Sequence, residues 1–113
     1  MSTVAADRPQ GVYSPVLTPF NADLSPSAPR FVEHCRSLLE QGAGLAIFGT
    51  NSEANSLSVA EKRPLLDALL DAGLPPARMM PGTGACALPD AVEMTRHAVA
   101  GGCGGVLMLP PFY

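Results

Sequence analysis

Four consecutive polar residues, Thr50, Asn51, Ser52 and Glu53, follow the apolar run Leu45 to Phe48 and a single Gly49. The apolar run suits a buried strand. Ser58-Val59-Ala60-Glu61, a little further on, reads as a capping box that opens a helix. The polar residues therefore stand where a strand feeds a helix, and in α/β folds that end of the strand binds ligands. A solvated turn followed by a helix cap would leave the same local pattern.

Other residues offer rival chemistries. Gly82-Thr83-Gly84-Ala85-Cys86-Ala87 satisfies G-x-G-x-x-A between an expected strand and an expected helix, as a dinucleotide site would. Such a site also wants an acidic residue about 20 positions on, to hold a ribose, and no Asp or Glu follows Glu93. The alternative is that these glycines let the chain turn tightly against its neighbours. Cys35, Cys86 and Cys103 form no C-x-x-C pair, and His34 and His97 complete no metal-ligand spacing, so no metal is expected. Lys62 is the only lysine. Among Glu61, Arg63 and Asp67 it reads as a solvated helix charge rather than a nucleophile.

These groups must be carried by a folded domain. Hydrophobic residues make up 47% of the 113 and charged residues 15%, which argues for a core rather than disorder. A net charge of −3 with no basic run excludes a general electrostatic nucleic-acid binder. Met1 to Arg8 lacks the apolar core of a signal peptide. The longest uncharged stretch, Ala98 to Tyr113, is broken by Gly and Pro and is too short to cross a bilayer. With an odd number of unpaired cysteines, the composition fits reduced thiols in a cytoplasmic protein that avoids membranes.

Residues 1–10 read as a flexible tail and residues 11–113 as one partial domain. A first strand is expected over Gly11–Leu17, then a helix from Ser27 or Ala28 to about Gln41, closed by Gly42. A second strand over Gly44–Phe48 leads to a helix over Val59–Ala72, with Pro64 as a local conflict and Gly73 as its end. A third strand over Arg78–Pro81 precedes a helix whose inner face is read as Leu88, Val92, Thr95 and Val99. Gly101-Gly102 closes that helix, and Gly104–Leu109 is the fourth strand. Strand ends recur about every 30 residues, as parallel βαβ units require. The expectation is a βαβαβαβ chain with strands in sequential order and all four strand-exit loops on one face.

Those loops carry the resemblance. Thr18-Pro19-Phe20, Gly49-Thr50-Asn51-Ser52-Glu53, Gly82-Thr83-Gly84-Ala85 and Pro111-Phe112-Tyr113, in this order and spacing, resemble the dihydrodipicolinate synthase / N-acetylneuraminate lyase family of class I aldolases. The resemblance implies the N-terminal half of a (β/α)8 barrel, truncated after strand four. It implies a lyase of carbon–carbon or carbon–oxygen bonds that joins a strand-six lysine to pyruvate or a related 2-keto acid as a Schiff base, with no separate cofactor. The lysine and a strand-five tyrosine would lie beyond Tyr113, so the isolated chain is expected to be inactive.

Residue by residue, the resemblance gives Thr50 a catalytic role as proton relay and a share in substrate binding. Tyr113 matches a second catalytic relay group that reaches into a neighbouring subunit's site, in an enzyme that is a homo-oligomer, commonly a tetramer. Asn51 stands where the family has threonine and can still offer its amide to a substrate carboxylate. Ser52 replaces the usual glycine. The rival functions are a non-catalytic half-barrel that self-associates to cover its edges and, more remotely, a dinucleotide-binding domain. As a half-barrel, the chain is also expected to expose Val16, Ile47 and Leu107.

Overall fold

The computed structural model describes residues 9–112; the calls on residues 1–8 and on Tyr113 lie outside them. Its three helices fall where expected, and the first two strands are shorter than expected. Strand β1 covers Tyr13–Pro15 and helix α1 covers Ala28–Glu40. Strand β2 covers Gly44–Ala46, helix α2 Val59–Asp71 and helix α3 Leu88–Ala100.

Local chemistry sets the helix limits. Ser27 caps α1 by accepting from the amide of Arg30. Ser58 and Glu61 form the reciprocal capping box at the start of α2. Each helix closes the same way: Gly42, Gly73 and Gly102 take positive φ, and the next amide bonds five residues back, to Leu38, Leu69 and Ala98 respectively. This is the double-bonded glycine stop that satisfies the last helical carbonyls. Pro64 lies inside α2, which runs past it, and is exposed.

β1 pairs in parallel with β2, Ser14 opposite Leu45. The third and fourth expected strands are reduced to single parallel bridges, Leu45 with Met79 and Gly82 with Leu107. Hydrogen bonds extend the pairing beyond them: Met80 donates to Leu45, Gly82 to Ile47, Thr83 to Leu107 and Leu107 to Pro81. Order is therefore sequential. Proline and glycine explain the loss of regular ladder, since Pro81 and Pro110 have no amide to donate.

α1 packs against α2 and α2 against α3. Val16, Leu45, Ile47 and Met79 from the sheet meet Phe31, Cys35 and Leu69 from the helices. The expectation that Val16 and Ile47 are exposed is wrong: both are 0% accessible because they point to the helix layer. Leu107, at 37%, is exposed as expected.

Two further corrections concern the helices. The inner face of α3 is Ala91, Met94 and Ala98, whereas Leu88, Val92 and Val99 are exposed. The alanines let α3 approach α2 closely, so the bulkier stripe is left outside. Lys62 is not a solvated charge but is only 7% exposed. It shares the spacing of Leu65, Leu66 and Leu69 and so the buried face of α2.

Across the ends of the strands opposite the loops already singled out, Arg78 ties the fold together. Its guanidinium donates to the carbonyl of Gln10 at 2.8 Å and lies 5.1 Å from the ring centre of Tyr13.

Candidate active site

β2 leaves the sheet through Ile47 and Phe48, and Phe48 takes a left-handed φ of 60°. For a bulky residue this is a strained conformation, costing about 1–3 kcal/mol, and it redirects the chain. Gly49 follows, then a tight turn over Thr50–Ser52 and a second over Ala54–Ser56. Amides of Ser52 and Ala54 both return to the carbonyl of Gly49, which fixes the turn from within. Ser52 is fully buried, and its hydroxyl donates to the carbonyl of Val16, pinning the turn to the end of the first strand.

The third loop lies against the second. A Cβ on Gly84 would meet the carbonyl oxygen of Leu109 at 2.7 Å. Gly82 approaches Phe48 more closely still. Close backbone packing thus accounts for both glycines without a phosphate.

Together these loops enclose a cavity of about 260 Å³. Thr50 lies on its wall with Asn55 and Cys86, and the rest is mainly apolar, including Phe48, Leu107 and Phe112. The cavity thus gathers the exits of the second, third and fourth strands, as the sequence order requires.

Of the expected site residues that the structure describes, Thr50 is placed on this wall, and Tyr113 lies outside the described residues. Asn51 is exposed and does not line the cavity. Asn55 is not among the expected site residues; its place two positions past the polar run after β2 is its only sequence signal. Thr18 is buried at the first strand exit, with no hydrogen-bond partner for its hydroxyl among the described residues.

The thiols differ sharply. All are unpaired; Cys35 is buried, Cys86 exposed and Cys103 between. Burial pushes the Cys35 thiol up from 9.0 to about 12 and also raises Cys103. Among the described residues no group of three or more His, Cys, Asp or Glu could hold a metal, and no helix is long and apolar enough to cross a membrane.

Residues 8–113 match the Dihydrodipicolinate synthetase family. The chain belongs to that family. It is 39% identical over 107 residues to the 4-hydroxy-tetrahydrodipicolinate synthase of Synechococcus sp. (strain CC9605), covering 90% of this chain and 34% of that protein. An uncharacterized DapA-like lyase of Chloroflexus aurantiacus is 34% identical, with 93% of this chain and 36% of that protein covered.

Among solved structures, dihydrodipicolinate synthase from Agrobacterium tumefaciens superposes with a TM-score of 0.86 at 28% identity, over 91% of this chain and 36% of that one. YagE from E. coli K12, solved in complex with pyruvate, superposes with a TM-score of 0.76 at 25% identity, over 91% and 35%. The chain thus spans about a third of the length of its relatives. It corresponds to the N-terminal portion of the family's TIM barrel.

Proposed function

We propose that this chain forms the N-terminal wall of the active site of a dihydrodipicolinate synthase-like lyase that acts on pyruvate or a related 2-keto acid. The carrying observation is the 260 Å³ cavity, lined from three successive strand exits, with Thr50 on its wall. The pyruvate complex of YagE supports the choice of ligand.

In this reading the missing electrophile chemistry is a Schiff base on a lysine from a later strand, held by the remaining barrel units. Thr50 contributes a hydroxyl that accepts a proton on one side while donating on the other. Asn51 serves the substrate carboxylate only if the loop shifts on binding, because it stands outside the cavity in this conformation. Tyr113 continues the relay across a subunit boundary in a homo-oligomer. The 113 residues alone do not turn over substrate.

Joining these residues to the remaining units of a homologous barrel tests the reading. Thr50→Val should lower kcat by about 100-fold, in line with loss of a proton-transfer group, and Thr50→Ser should recover most of it. Equal activity of Thr50→Val and the parent would refute the assigned role.

A second reading has its own support. Val12, Leu17, Leu88 and Val99 are each more than 60% exposed. Together with open sheet edges they would favour a self-associating half-barrel without catalysis.

A further inference from the structure

The turn that carries Thr50 is held from two directions. On the side of the third strand exit the hold is backbone: the Gly82 amide donates to the carbonyl of Ile47 at 2.7 Å. On the side of the first strand it is one side chain, that of Ser52, which is fully buried and does not line the candidate site.

The strand register shows what Ser52 replaces. Pro15 stands opposite Ala46, and the Val16 amide donates to the Ala46 carbonyl at 3.2 Å. In a continuing parallel ladder the next bond would return from the Phe48 amide to the Val16 carbonyl. Phe48 instead takes its left-handed φ of 60° and leaves the ladder. The Val16 carbonyl accepts from the Ser52 hydroxyl in its place. Val16 is itself fully buried, and a buried carbonyl is costly to leave unpaired. The bond from Ser52 thus permits the early turn at Phe48 that puts Thr50 on the cavity wall. Thr50 and Ser52 belong to one three-residue turn, closed by the Ser52 and Ala54 amides on the Gly49 carbonyl, so a shift of one moves the other.

We propose that Ser52 is a positioning residue for the Thr50 hydroxyl. Its side-chain bond stands in for the ladder bond that the turn at Phe48 gives up, and so fixes where Thr50 stands. Ser52 itself touches no substrate. The inference rests on the proton-relay role given to Thr50 above, and the test separates the two.

The completed barrel described above would carry Ser52→Ala, Thr50→Val and both together. Ser52→Ala should lower kcat about tenfold, as displacement of a catalytic group does, with KM for pyruvate little changed. The double variant should be no slower than Thr50→Val alone, because Ser52 acts through Thr50. All three should be trapped by pyruvate and borohydride to the parent's stoichiometry, which reports a folded site. In the 113-residue chain, Ser52→Ala should quicken hydrogen exchange at the Ala54 amide and leave α1 unchanged.

A parent-like kcat for Ser52→Ala, losses that multiply in the double variant, or unchanged exchange at Ala54 would each overturn the proposal while the role of Thr50 stands. A parent-like kcat for Thr50→Val would instead refute the role of Thr50, and this inference with it. Should Ser52→Ala not fold, Ser52→Gly takes its place. Loss of trapping in both would also overturn the proposal, since Ser52 would then support the fold rather than aim Thr50.

Discussion

A Cβ placed on Gly82 would stand 2.1 Å from the carbonyl oxygen of Phe48. The second and third strand exits therefore touch through backbone, and no side chain fits between them. Gly82→Ala should destabilise the protein by about 3 kcal/mol or more, since backbone must move to admit the methyl group. Gly49→Ala is the matched control, because an added Cβ there meets nothing within 4 Å. Chemical denaturation of both variants checks the contrast; equal stabilities would contradict the close approach.

Helix capping gives a second contrast. Ser58→Ala removes the acceptor for the Glu61 amide and should cost about 1 kcal/mol. The Arg63–Glu93 pair, 3.1 Å apart between α2 and α3, is roughly half exposed on both sides. Arg63→Ala should change stability by less than about 0.5 kcal/mol, because exposed ion pairs are screened. Denaturation midpoints at low and moderate salt distinguish the two effects.

Much of this architecture is legible in the sequence because it is local. Ser58 and Glu61 announce the start of α2, and Gly42, Gly73 and Gly102 mark the helix ends, since only nearby backbone groups decide those features. Tertiary choices are harder. Leu88, Val92 and Val99 form a more hydrophobic stripe than Ala91, Met94 and Ala98, yet the small residues win the interface because they permit a close approach. The charged neighbours of Lys62 suggest a solvated side chain, yet it is buried. The spacing of 62 with 65, 66 and 69 already placed it on the buried side. The cavity's composition was partly legible: Thr50 follows from the strand-exit pattern, but only the folded turn shows that Asn55 lines the wall and Asn51 does not.

Alkaline pH should weaken the fold through Cys35. Its thiol titrates near 9.0 when unfolded and at about 12 when folded. The stabilising difference is therefore complete below pH 9 and is lost as pH rises toward 12, at up to about 1.4 kcal/mol per pH unit. Cys35→Val should flatten this part of the stability profile relative to the parent. Thiol alkylation under native conditions should modify Cys86 first and Cys35 last, as read by peptide mass spectrometry.

The exposed apolar faces predict association. Leu88 is 75% exposed and Val99 65%, on a helix face that a neighbouring barrel unit would cover. Sedimentation should show dimers or larger species whose population rises with concentration. Leu88→Glu with Val99→Glu should shift it toward smaller species. A parent that stays monomeric at every concentration and unfolds cooperatively would count against self-association.

Trapping with pyruvate and borohydride, read by intact-mass and peptide spectrometry, tests the functional account most directly. Lys62 is only 7% exposed and lies outside the wall of the candidate site, away from a keto acid held there. The 113-residue chain should therefore gain no adduct. The same residues joined to the remaining barrel units, with their strand-six lysine, should be trapped stoichiometrically on that lysine. A stoichiometric pyruvyl adduct on Lys62 of the chain alone, or no adduct on the completed barrel, would contradict the account.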